Sequence, residues 1–148
     1  MDIGSMDILL KQVYNIIQKR GYQTKVFSDY SFALAYENSA FVIRKGALEF
    51  DCQLEITLPK VYSVNKNNIS DALKVANEIN KNISIFKAIV EEGDVYFIAS
   101  IIKNDDSKLF EFVIMEVLDF MTGNEGLFKD RMNEKKVIND QLLKNLSF

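Results

Sequence analysis

Apolar positions change their period several times along the chain, and each change marks an element. From Asp7 to Arg20, Leu9, Leu10, Val13, Ile16 and Ile17 recur at helical spacing. This predicts an amphipathic first helix, with Gly21 placed for a left-handed C-cap. Beyond Gly21 the pattern becomes short runs of Phe, Tyr, Val and Ile near Gln23 to Phe27, Phe32 to Glu37, Ala40 to Arg44 and Ala47 to Leu58. Breaks fall at Ser28-Asp29, Asn38-Ser39 and Lys45-Gly46, and connections this short demand antiparallel pairing. In the last run Leu48, Phe50, Cys52, Leu54, Ile56 and Leu58 alternate with Glu49, Asp51, Gln53, Glu55 and Thr57. One face is therefore core and the other wet, as in an antiparallel sheet covered on one side.

Pro59 is expected to end that strand. The polar stretch Ser63 to Asn68 leads into a second helix from Ser70, its N-cap, to Lys81, with an apolar stripe of Ile69, Leu73, Ala76 and Ile79. Two further strands, Ile83 to Glu91 and Val95 to Ile102, join through Glu92-Gly93-Asp94 as a hairpin. Their near-continuous apolarity suggests the centre of the sheet.

Asn104-Asp105-Asp106-Ser107 supplies a turn and a cap for a third helix reaching Thr122, where Gly123 is placed to terminate it. Its polar members Glu111, Glu116 and Asp119 occupy an arc of roughly 140°. Packing on a sheet needs little more than about 100° of apolar surface. The surplus needs another cover, either the chain's own fourth helix or a partner, and the candidate partner-binding residues are Phe110, Ile114, Met115, Val117, Leu118 and Met121. After Gly126 a more polar helical stretch carries Phe128, Met132, Val137, Ile138, Leu142, Leu143 and Leu146.

The fold expected is α+β: an antiparallel meander sheet with helices packed on one face, in the order α-β-β-β-β-α-β-β-α plus a C-terminal helix. Residues 1–148 form a single domain with its core in about 7–122 and a helical extension over 127–148. Met6-Asp7-Ile8 repeats Met1-Asp2-Ile3, so residues 1–5 are either a tag remnant or a native terminus, and carry no function.

Composition narrows the chemistry. The chain of 17.0 kDa is 48% hydrophobic, enough for one sizeable core. Its longest apolar run, Val95 to Ile102, is broken by Ser100 and falls short of the roughly 20 residues of a membrane span. Nor does the amino terminus read as a signal peptide, so the expected location is cytoplasmic and no membrane contact is foreseen. With Cys52 alone, no disulfide or multi-cysteine metal site can form within the chain. Histidine is absent, which removes the usual neutral-pH base and nucleophile pairs. Eighteen basic and 21 acidic side chains give a net charge of −3 without a basic stripe for nucleic acid. The densest basic cluster, Lys129, Arg131, Lys135 and Lys136, is diluted by Asp130 and Glu134.

The remaining candidates read as structural. Cys52 falls in the inward register and should be a small buried hydrophobe. Glu91-Glu92 and Asp105-Asp106 sit in predicted turns without the converging geometry of a cation loop. Glu49, Asp51 and Glu55 on the open sheet face read as a wet surface before they read as an acidic docking strip. No phosphate-cradling glycine motif or nucleophile elbow occurs, so neither cofactor nor metal is expected. An alternative reading is a small-ligand or enzymatic pocket built from Tyr22, Tyr30, Tyr36, Tyr62 or Tyr96, and another is a purely structural, self-associating protein.

The second helix, Asp71 to Asn80, with Ala76-Asn77 followed by Asn80, resembles the "ANxxN" helix of the YbjN-like family of proposed bacterial sensory transduction regulators. Phe86-Lys87-Ala88 before Asp94-Val95-Tyr96-Phe97 resembles the hairpin that follows it. The resemblance spans roughly residues 8 to 122 and extends in element order to type III secretion chaperones. It implies a non-enzymatic domain that usually forms a homodimer and, in the chaperone branch, holds an extended peptide of an exported protein. For Asn77 and Asn80 a capping role is the simpler expectation than direct partner contact. The polar tail after Gly126 departs from the compact pattern. The chain thus reads as a protein-binding module with a protein partner, chaperone-like or regulatory.

Overall fold

The computed structural model of the chain describes residues 3–46, 52–91 and 93–146. After a 3-10 turn at Ile3–Ser5 the elements run α1 (Ile8–Lys19), β1 (Thr24–Ser28), β2 (Ser31–Tyr36), β3 (Ser39–Lys45), β4 (Gln53–Ser63), α2 (Ile69–Asn82), β5 (Lys87–Glu91), β6 (Asp94–Ile102) and α3 (Ser107–Leu146). The strands form one antiparallel sheet in the order β1-β2-β3-β4-β6-β5. The expected fold class and element order both hold.

Local chemistry explains most boundaries. Asp7 caps α1 by accepting from the Leu10 amide at 3.2 Å. Its other carboxylate oxygen meets Lys45 Nζ at 3.0 Å, tying the helix start to the end of β3. Tyr36 pairs with Ser39 across a two-residue loop in which Glu37 and Asn38 have φ of 48° and 66°, the backbone of a type I′ hairpin turn.

Pro59 does not end β4. The strand runs on to Ser63 because its ladder with β6 slips between Leu58, opposite Phe97, and Tyr62, opposite Val95. The missing amide of Pro59 falls inside this bulge, where no ladder bond is required, and Lys60 takes a φ of 54° to make the kink. The predicted start of β4, from Ala47 to Asp51, lies outside the described residues. Cys52 precedes the strand and is half-buried, not the core side chain expected from its register.

Other expectations need correction. The strand before the hairpin begins at Lys87 and not Ile83, and it is the outermost strand of the sheet, not a central one. Helix α2 starts at Ile69 after Asn68, with Ser70 already inside it. It buries Ala72, Val75, Ala76 and Ile79, leaving Ile69 and Leu73 exposed. Small residues allow α2 to lie close against β5, which is why its buried stripe is not its most hydrophobic one.

The largest departure concerns α3. Instead of stopping at Gly123, it continues through Gly123 and Gly126 to Leu146 as one helix of 40 residues, about 60 Å long. Two interior glycines cost about 2 kcal/mol together relative to alanine. Beyond them Phe128 and Met132 are buried to 0% and 3% exposure, and each side chain contributes about 1.5–3 kcal/mol. Phe128 lies 5.8 Å from the Tyr62 ring and 6.3 Å from Phe97. Anchoring beyond the glycines therefore outweighs their cost.

All three helices cover one face of the sheet. Helix α1 lies against β3, α3 against β4 and β6, and α2 against β5 and α3. The shared core contains Phe32, Leu34, Phe41, Ile43, Leu54, Ile56, Leu58 and Phe97 from the sheet. At the end of the β2-β3 hairpin the Tyr36 hydroxyl donates to Asp119, and Ser39 Oγ donates to Glu125 at 3.0 Å, so two side chains pin the hairpin to α3.

Burial, then the Asp119 carboxylate, pushes the Tyr36 hydroxyl above its ordinary pKa of 10.0. The unfolded chain loses this proton first, so the native state is favoured below pH 10.0 and stability falls as pH rises above it. Urea titrations across alkaline pH should show a shallower loss in Tyr36→Phe than in the parent. Gly126 is exposed and a Cβ there would meet nothing within 4 Å. Gly126→Ala should raise stability by about 0.5–1 kcal/mol in the same denaturation assay.

Candidate partner-binding surfaces

The six residues proposed from sequence as a partner face do not form one. Phe110, Ile114, Met115, Val117, Leu118 and Met121 are all buried within the protomer. They fall within an arc of roughly 160° of α3, the side that meets the sheet and α2, and Phe128 and Met132 extend the same stripe. The surplus of apolar surface is nevertheless present, on other residues. Leu109, Phe112, Phe120, Leu127 and Ile138 are 45%, 59%, 41%, 42% and 55% exposed on the side of α3 turned away from the sheet. Past Met132 nearly every side chain of α3 is exposed, Val137, Leu142, Leu143 and Leu146 included. In that last stretch Asn139 Nδ2 donates to Asp71 Oδ2 of α2 at 3.1 Å.

The second candidate surface is the uncovered face of the sheet. Register places Val42 beside Thr57 and Thr57 beside Ile98, so an apolar centre crosses β3, β4 and β6. With Arg44, Pro59 and Tyr96 these residues line a shallow, open depression of about 440 Å³. Arg44 Nε binds Glu55 Oε2 at 2.5 Å, so Glu55 is neutralised within its own sheet and not free to head an acidic strip. Glu49 and Asp51, the other members of that strip, lie outside the described residues. Tyr96 donates to Glu91 at 3.1 Å, and partial burial followed by that carboxylate raises its pKa.

The five tyrosines named as an alternative pocket are dispersed: Tyr30 is exposed in the β1-β2 turn, Tyr22 meets Tyr36 edge-on at 5.2 Å, Tyr62 packs on Phe128, and Tyr96 is on the open face. Among the described residues no group of three His, Cys, Asp or Glu side chains is placed to hold a metal ion. No helix among them is long and apolar enough to cross a membrane. Asp105 and Asp106 lie in the turn before α3, where Asp106 Oδ1 accepts from the amides of Lys108 and Leu109, which is a capping role.

Asn80 has a defined task that sequence reasoning placed at the wrong element. Its side-chain amide donates to the Ala88 carbonyl at 2.9 Å and accepts from the Ala88 amide at 2.7 Å. It therefore caps the outer edge of β5 as a further strand would, while α2 itself ends at Ile83 through a bond to the Ile79 carbonyl. Asn77 is exposed on the same helix. The only available signal was an amide residue three positions after another ahead of a hairpin.

No family model matches the sequence, and no curated protein matches it significantly. Among solved structures the chain is similar to the crystal structure of YbjN, a proposed transcription regulator from E. coli. The TM-score is 0.54 at 10% sequence identity, covering 86% of this chain and 91% of that one. The protein thus has the α+β fold of YbjN, and the resemblance read from α2 and its hairpin is borne out at the level of the fold.

Asn80→Ala would leave both Ala88 backbone groups without this partner, and each buried group so orphaned costs about 1–3 kcal/mol. Water reaches this edge, so the loss expected in urea denaturation is about 1–2 kcal/mol, with Asn80→Asp recovering only the amide half.

Proposed function

We propose that this protein is a non-enzymatic protein-binding module, chaperone-like or regulatory, acting as a homodimer in the bacterial cytoplasm. The observation that carries the reading is the uncovered sheet face, where Val42, Thr57 and Ile98 make an apolar centre bordered by Arg44, Glu55 and Tyr96. An open, shallow surface of this composition suits an extended segment or a protein flank better than a small ligand, which is normally enclosed. The missing histidine and the dispersed tyrosines support the same side of the choice.

Likeness in fold to a proposed transcription regulator supports a regulatory role for the module. Regulation would run through a protein contact, since a net charge of −3 without a basic stripe suits phosphate backbones poorly. The sheet face is the partner site, and the outward side of α3 is where copies of the chain meet.

A photo-reactive residue placed at Ile98 of the full chain, in cells of the source organism, should trap one or a few defined proteins. Val42→Asp should abolish those adducts, and the same label at Lys74, exposed on α2, should give none. Equal labelling from Ile98 and Lys74 would refute the sheet face as the binding surface.

A further inference from the structure

The outward side of α3 is palindromic. Along it run Leu109, Glu116, Phe120, Leu127, Arg131 and Ile138, with successive spacings of seven, four, seven, four and seven residues. Leu109 and Ile138 are separated by about eight whole helical turns, so the two ends of the row point the same way. The midpoint falls beside Gly123. A Cβ at Gly123 would meet nothing within 4 Å, so packing within the protomer does not require glycine there. It stands inside a continuous helix at a cost of about 1 kcal/mol.

We infer that this side of α3 is the seam of an antiparallel, two-fold homodimer whose axis passes beside Gly123. The inference deepens the self-association proposed above by naming its surface and geometry. About that axis Leu109 meets the partner's Ile138, Phe120 meets the partner's Leu127, and Glu116 lies opposite the partner's Arg131. Symmetry makes each pairing occur twice. Val113, half-buried against the core of its own protomer, and Glu134 stand outside the matched pairs.

Charge complementarity selects a second copy in this orientation. Parallel pairing would set Glu116 on Glu116 and Arg131 on Arg131, two like-charge pairs on one seam. Moving the antiparallel axis to Leu127 would set Phe120 opposite Glu134 and Glu116 opposite Ile138. Of these three arrangements the axis beside Gly123 alone matches oil with oil and acid with base, and glycine there lets the two backbones approach closely. In the protomer Arg131 has a long, exposed contact of 3.9 Å to Glu134, which is weak and readily exchanged.

Sedimentation of the full chain should show a dimer. Arg131→Glu should raise its dissociation constant about tenfold, because both symmetric pairs become repulsive. Glu116→Arg combined with Arg131→Glu should restore parental affinity, with unchanged far-ultraviolet dichroism for all variants. In a Cys52→Ser background, Leu109→Cys together with Ile138→Cys should give disulfide-linked dimers on mild oxidation, while Leu109→Cys alone should not. A chain that stays monomeric at high micromolar concentration overturns the inference and the homodimer with it. A dimer indifferent to the charge swap, or one that cross-links through Leu109→Cys alone, overturns this seam and leaves the module reading standing.

Discussion

A sheet whose two faces differ in polarity must hide one of them, and here the hiding is done across its middle by the stripe Phe110, Ile114, Val117, Leu118, Met121, Phe128 and Met132 of α3. The other features of the fold adjust to that contact. The bulge at Pro59 and Lys60 lets β4 bring Val61 and Tyr62 under the far half of the helix. Tyr36 and Ser39 hold the neighbouring hairpin to the same helix. Even the two interior glycines are tolerated because aromatic packing beyond them keeps the helix in place.

One long helix in the middle of a one-sided layer leaves two surfaces bare: its own back and the reverse of the sheet. These surfaces differ in kind. The helix back is a narrow row of separated large side chains, whereas the sheet reverse is broad, shallow and mixed in polarity. A protein that meets its own copy through one and a different partner through the other can keep the two contacts independent, because the core lies between them.

How much of this was legible depends on whether a single period settled the matter. Helix α1 is read to within a residue because its stripe is narrow and its caps are ordinary. Pro59 misleads because a proline signals a break only where its absent amide is needed, and bulge geometry cannot be seen in a linear pattern. For α2 hydrophobicity favours Ile69 and Leu73, yet closeness to β5 favours Ala72 and Val75, and size is decided by the neighbour. The excess of oil on α3 is visible in the sequence, but its division is not. A helix apolar on most sides offers no internal clue to which side meets the sheet, so the sequence does not tell that Phe110 and Ile114 are buried while Leu109 and Phe120 are exposed.

The clasp of Asn80 on Ala88 gives the sheet two unlike rims. At the β5 rim the two backbone groups that an incoming strand would seek are already occupied at Ala88, while at the β1 rim no further strand follows among the described residues. A ribbon that grows without limit needs both rims receptive, since each added unit must offer a fresh one. With the β5 rim occupied at Ala88, a strand adding there must first displace one side-chain amide.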